Sequence, residues 1–177
     1  YKDEGIRTPI EQRFDQLKSQ LTITEYANFA YYFGSLQRGS SEFWANIEQL
    51  LTEEVSDLSP HLLKSFILGL ARAEEGSLKL WHLLESRVLK SNLSADELVA
   101  VVESFTAHSL ASLELWNHLE KQIVEGISEF NYSELTQVVR GFGKAQSGFQ
   151  SFWTALESRI LEGEQVSEDL ELILYLE

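Results

Sequence analysis

Glu48, Glu85, Glu120 and Glu157 each stand four residues after a tryptophan, and a repeating structure would set these carboxylates in a row. Stacked carboxylates are what a divalent cation or an acid–base reaction would need. The plainer reading is that each one accepts hydrogen bonds from the next repeat or pairs with a neighbour such as Arg87 or Arg159, and the sequence favours it. His61, His82, His108 and His118 are the other candidates for metal or general-base work, but none lies in an H-E-x-x-H or similar ligand spacing. His108 takes the place held elsewhere by Leu36, Ala73 and Ala145, and His82 merely follows Trp81, so both read as ordinary structural histidines. Gly141, Gly143 and Lys144 suggest a phosphate loop, yet the G-x-x-x-x-G-K-[ST] spacing is missing and the segment has a helical pattern. The absence of cysteine removes thiolate zinc sites, thiol nucleophiles and disulfides together. No G-x-S-x-G elbow is present either. The chain is therefore expected to be no enzyme and to need no cofactor or metal.

The 177 residues suit one domain or one short repeat array. With 44% apolar and 24% charged residues, the composition is that of a folded, soluble protein. Its apolar runs fall far short of the roughly 18 residues of a transmembrane helix. A net charge of −14 repels phosphate backbones at long range, which works against unaided binding of nucleic acid. The sequence starts at Tyr1 and lacks methionine, as a processed mature form or a trimmed fragment would.

The elements that position these residues are set by a repeat. Trp44, Trp81, Trp116 and Trp153 are separated by 37, 35 and 37 residues. Around each, apolar residues recur at helical spacing, for example Trp116, Leu119 and Ile123. Upstream, Leu135, Val138, Val139 and Phe142 and their equivalents follow the i, i+3, i+4, i+7 pattern of an amphipathic helix. That leading helix opens on Thr22, Ser59, Ser94 or Asn131, and Glu25, Glu97 and Glu134 complete a capping box in three of the four. Ser59 instead precedes Pro60, which suits the first helical position. Gly39, Gly76 and Gly148 are expected to supply the left-handed residue that ends the leading helix, and Ala111 calls for a different turn there. Gly143 aligns with Gly34, Ala71 and Thr106 and reads as a small residue at a close helix crossing.

The expected fold is all-α: an α-solenoid of four helix-turn-helix repeats, 22–58, 59–93, 94–130 and 131–165, forming a single domain over 1–177. A half-repeat helix stands at each end. The first, over 8–21, starts at Thr8 and Pro9 and carries Ile10, Phe14, Leu17 and Leu21 on one side. The last, over 167–177, has leucines and isoleucine on nearly every side, and Leu172 and Leu176 are the residues expected to contact a protein partner.

The order cap, E-L, an apolar pair, F-G-x-A, a glycine turn and F-W-x-x-L-E-x-x-I-L resembles the octotricopeptide and heptatricopeptide repeats of organelles, including those of FAST-type and RAP-domain proteins. Asn131 to Ala145, continued by Phe152, Trp153, Leu156, Glu157, Ile160 and Leu161, carries the likeness most clearly. The resemblance spans about four-fifths of the chain and implies a mitochondrial location, with plastid or cytoplasm as alternatives. The residues given do not include the RAP domain that often accompanies such repeats, so nuclease chemistry and RNA processing are not expected. Together with the acidic charge, the resemblance suggests a non-catalytic scaffold that binds protein subunits of a larger assembly, such as a respiratory complex, ATP synthase or ribosome. The alternative it implies is an organellar RNA-binding module using Lys64, Arg72, Arg140 and Lys144. These four do not form a continuous cationic track.

Overall fold

Side-chain caps fix where most of the helices begin. The computed structural model describes residues 9–161, and among them it contains helices and turns but no strand. The helices are α1 (Pro9–Leu17), α2 (Ile23–Ser35), α3 (Ser41–Glu54), α4 (Pro60–Ala73), α5 (Leu78–Val88), α6 (Ala95–His108), α7 (Leu113–Glu125), α8 (Tyr132–Ala145) and α9 (Gln150–Leu161). Thr22, Ser94 and Asn131 close capping boxes with Glu25, Glu97 and Glu134. Ser59 accepts from the Leu62 amide ahead of α4, which has Pro60 in its first turn. Trailing helices are capped in the same way: Ser40, Ser77 and Ser112 accept from the amides of Phe43, Leu80 and Leu115. The residues form two compact units, divided after Ser91.

The first unit holds α1 and the hairpins α2–α3 and α4–α5. Aromatic rings fill much of its interior, since Phe14 meets Tyr26, Phe29 and Phe43 edge to face at 5.4, 5.2 and 4.9 Å. Phe33 stacks on Phe43 with centroids 4.5 Å apart. Such pairs contribute about 0.5–1.5 kcal/mol each beyond the area they bury. Helix α1 is shorter than the sequence pattern implies: it ends at Leu17 and passes into a 3₁₀ turn over Lys18–Gln20. Thr8 lies outside the described residues.

Helices α2 and α4 approach at backbone distance. A Cβ added to Gly34 would lie 2.1 Å from the Gly69 carbonyl oxygen, and one on Gly69 would lie 2.3 Å from that of Ala30. Only a pair of residues without side chains permits this crossing.

The second unit pairs α6 with α7 and α8 with α9. Leu115, Leu119, Ile123, Leu135, Val138 and Phe142 are fully buried. Trp116 packs edge to face on Phe142 at 5.0 Å, and Phe142 lies 4.3 Å from Phe152. Helices α6 and α8 cross at Gly141, where a Cβ would stand 2.2 Å from Val102 Cγ1. The crossing residue is therefore Gly141 and not Gly143, which is exposed and whose added Cβ would meet nothing within 4 Å. The aligned position is tightly packed in α2 because α4 lies over it.

The turns depart from expectation as well. The left-handed residues that end the leading helices are Gln37, Glu74, Ser109 and Gln146, with φ between 50° and 57°, and not the glycines. After α4, Glu74 N–H donates to Ala71 O and Glu75 N–H to Leu70 O, a Schellman closure; α8 repeats it with Gln146 and Ser147. The glycines follow two residues later with φ of 111°, 96° and 103° at Gly39, Gly76 and Gly148, a backbone region that side chains avoid. They also leave room for the indole. A Cβ on Gly39 would be 2.6 Å from Trp44 Nε1. Trp44 and Trp81 then donate to the carbonyls of Arg38 and Glu75, each at 3.2 Å. Ala111 is not in the left-handed region, so the third turn differs from the others, as the sequence implies. Trp44, Trp81 and Trp116 are buried and Trp153 is partly so.

Candidate functional site

The glutamate row is the first candidate, and its geometry is that of a clamp between neighbouring hairpins. Glu48, on α3, accepts from the backbone N–H of Ser77 at 3.1 Å and also from its hydroxyl. Glu120, on α7, accepts from the backbone N–H of Phe149 at 3.1 Å, just ahead of α9. In each case the carboxylate reaches 29 residues onward to the start of the next trailing helix. An anion belongs there, because the first amides of a helix lack internal partners and carry the positive end of its dipole.

The sequence reading missed one member of the row. Glu11, on α1, is buried and accepts the backbone N–H of Ser40, again 29 residues on. The signal was available, since Glu11 stands 37 residues before Glu48. It makes α1 the counterpart of a trailing helix. Glu85 is buried with His82 Nδ1 3.8 Å away, and Glu157 is exposed on α9.

A second long-range contact lies two residues further along the trailing helix. Arg87 donates to the carbonyl of Leu58, and Gln122 accepts the Leu93 amide at 2.9 Å, each spanning 29 residues. Both tie a trailing helix to the link entering its own hairpin. Arg87 thus serves a backbone carbonyl, and Arg159 sits 5.8 Å from the Tyr132 ring centre.

The remaining candidates are scattered. Among the described residues, no three His, Asp or Glu side chains stand close enough to hold a metal ion. His82 is exposed, and His118 Nε2 is 2.6 Å from the Gln122 side-chain amide. Of the four cations, Lys64 is half-buried. Arg72 is engaged, donating to Ser35 Oγ at 2.8 Å with its guanidinium 5.3 Å from the Tyr31 ring centre. Both belong to the first unit. Arg140 and Lys144 are exposed one turn apart on α8 in the second. Leu172 and Leu176, with the whole 167–177 segment, lie outside the described residues.

One surface feature escaped the sequence reading. Every connection from a leading to a trailing helix exposes one large apolar side chain: Leu36 (71% exposed), Leu78 (57%), Leu113 (70%) and Phe149 (62%). In the first unit Leu36 and Leu78 share an edge, because the Arg72–Ser35 bond joins the C-terminal ends of α2 and α4. In the second, Leu113 and Phe149 each stand at the start of a trailing helix. Leu78 and Leu113 share one position of the aligned repeat, three residues before the tryptophan, whereas Leu36 and Phe149 stand at two others, so alignment shows only part of what the turns have in common.

No helix among the described residues is long and apolar enough to cross a membrane. No protein-family model matches the sequence, and comparison with curated proteins finds no match.

Proposed function

We propose that this chain is a non-catalytic scaffold that binds other proteins, a short α-solenoid of the octotricopeptide and heptatricopeptide type. In this reading it serves as an accessory subunit of a large mitochondrial assembly, such as a respiratory complex, ATP synthase or ribosome. The observation that carries the binding role is the exposed apolar residue in every leading-to-trailing turn, Leu36, Leu78, Leu113 and Phe149. Burying one such side chain against a partner contributes about 1.5–3 kcal/mol, so a few of them support a stable contact. Three glutamates of the row, Glu11, Glu48 and Glu120, are occupied in accepting backbone hydrogen bonds at the starts of trailing helices. A role in RNA binding has one observation in its favour, the exposed Arg140 and Lys144 on α8. Against it stand the net charge of −14 and the engagement of Arg72 by Tyr31 and Ser35.

The test substitutes Leu36, Leu78, Leu113 and Phe149 together by serine in the full chain. Protein partners recovered with the unchanged chain from mitochondria should be lost, while melting stays within a degree or two, because exposed substitutions seldom alter stability. Undiminished recovery would refute the assignment of the turns. Filter binding to single-stranded RNA at low salt decides the other reading: retention that collapses as salt rises would favour RNA and count against the scaffold.

A further inference from the structure

Three glutamates of the row make one contact in common. Glu11, Glu48 and Glu120 each accept the backbone N–H of the residue immediately before a trailing helix: Ser40 before α3, Ser77 before α5 and Phe149 before α9. Each reaches 29 residues along the sequence, and a whole leading helix, α2, α4 or α8, lies in the interval. The carboxylate thus marks the side of a trailing helix on which the next one opens. The amides that open a helix have no internal partner and lie at the positive end of its dipole, so they suit a carboxylate whichever chain they belong to.

Glu157 holds the same place on α9, four residues after Trp153, as Glu48 follows Trp44 and Glu120 follows Trp116. It is exposed, and among the described residues it has neither a hydrogen bond nor an ion pair. Only 20 residues of the sequence follow it, so the interval of 29 spanned in the other three cases is not available within them. Leu161, one turn further along the same face, is 72% exposed. A carboxylate in the position that elsewhere receives a helix start therefore stands open beside an apolar side chain.

We propose that the outer face of α9 at Glu157 and Leu161 is a docking surface for the N-terminal end of a helix in a partner protein. Glu157 accepts the backbone N–H of the residue that opens that helix, and Leu161 packs on an apolar residue of its first turns. The proposal rests on the scaffold reading and adds the kind of partner: a helical protein that presents a free helix start, as a further hairpin of the array would. The net charge of −14 suits this occupant, because a helix start is electropositive without carrying a charged side chain.

Melting of the isolated full chain tests whether Glu157 is open. Glu157→Ala should leave the melting temperature within a degree, whereas Glu48→Ala lowers it by several degrees. An equal fall in both would show Glu157 engaged within its own chain and overturn the proposal. The occupant is tested by photo-cross-linking, since Ser158→Cys introduces the only cysteine of the chain. The full chain labelled there with benzophenone maleimide is irradiated in mitochondrial extract, and the cross-links are mapped by mass spectrometry. They should fall in the first turn of a helix in another protein. Glu157→Ala should cut their yield about tenfold, the effect of one hydrogen bond to a charged group, and Glu157→Gln, which keeps an acceptor oxygen, should cut it less. Cross-links to this chain or to a second copy, cross-links to a strand, a loop or the middle of a helix, or a yield indifferent to Glu157→Ala would each overturn the proposal. Its failure is distinguishable from failure of the scaffold reading. If only the proposal fails, partners still accompany the unchanged chain and are lost when Leu36, Leu78, Leu113 and Phe149 become serine, while position 158 gives no cross-link to them; if no partner is recovered at all, both fail.

Discussion

Gly69→Ala tests the packing of the first unit most directly. The substitution replaces the poorest helix former but proline by the best, which on an open helix stabilises by about 0.8–1 kcal/mol. At Gly69 the new methyl would stand 2.3 Å from the Ala30 carbonyl oxygen and 2.5 Å from its carbon, well inside the 3.0 Å that real Cβ atoms respect. Both obstructing atoms are backbone, so no rotamer change relieves the clash and α2 and α4 must part by about 1 Å. A radial gap of 0.5–1 Å forfeits roughly a quarter to a half of each dispersion contact along the seam. Overpacking of this kind costs about 1–3 kcal/mol, and a contact that only backbone movement can relieve belongs at or above the upper end. After the propensity gain is subtracted, the expected loss is about 2 kcal/mol. Denaturant titration followed by tryptophan fluorescence should show a lower midpoint with an unchanged slope. A neutral or stabilised variant would refute the backbone contact, since propensity alone would then be at work.

Gly39→Ala should destabilise by about 2 kcal/mol or more, because φ of 111° is hostile to a side chain and the methyl meets the Trp44 indole nitrogen; thermal melting measures it. Glu48→Ala should lose about 1–2 kcal/mol by leaving the Ser77 amide without its acceptor, whereas Glu48→Gln, which keeps an acceptor oxygen, should lose less than half of that. Tyr26 donates to the Lys18 carbonyl, and burial raises its pKa above the ordinary phenol value of 10.0. The folded state therefore resists deprotonation, so the contribution of Tyr26 is complete below pH ~10 and falls away as pH climbs beyond it. A stability profile between pH 8 and 11.5 should flatten in Tyr26→Phe. At the acid end, hydrogen bonds from the Thr22 backbone and side chain lower the pKa of Glu25 below its ordinary 4.5. Stability from that capping box is present above pH ~4.5 and disappears as pH falls through the lowered value, a loss that Glu25→Gln should not show.

The hairpins could be read from the sequence because their determinants are local. A capping residue, a glutamate three positions on and apolar residues at helical spacing act within one helix, and Thr22, Ser94 and Asn131 mark helix starts as their residue types imply. The turns were only half legible, since one glycine can meet two different demands. Gln37, Glu74, Ser109 and Gln146 take the left-handed position at a tolerable cost, and glycine is kept for the φ near 100° beneath the indole. Helix crossings were legible only as a tendency. The repeat register puts Gly143 beside Gly34, but closeness belongs to a pair of helices, and the incoming residues at the crossings are Gly69 and Gly141.

The candidate site was hidden for a related reason. A glutamate at a constant place in a repeat has the sequence signature expected of a ligand row, and that signature does not depend on whether the acceptors face one another or face amides. Glu11 separates the two cases. It is buried and holds Ser40 as Glu48 holds Ser77. A cation-binding row would have little use for a buried carboxylate whose hydrogen bond is already made. Within each unit the carboxylate lies where one trailing helix begins against the one before it, as Glu48 does at Ser77 and Glu120 at Phe149. Residues free to serve a partner must then lie where the architecture asks for nothing, and the exposed apolar side chains of the turns are in such places.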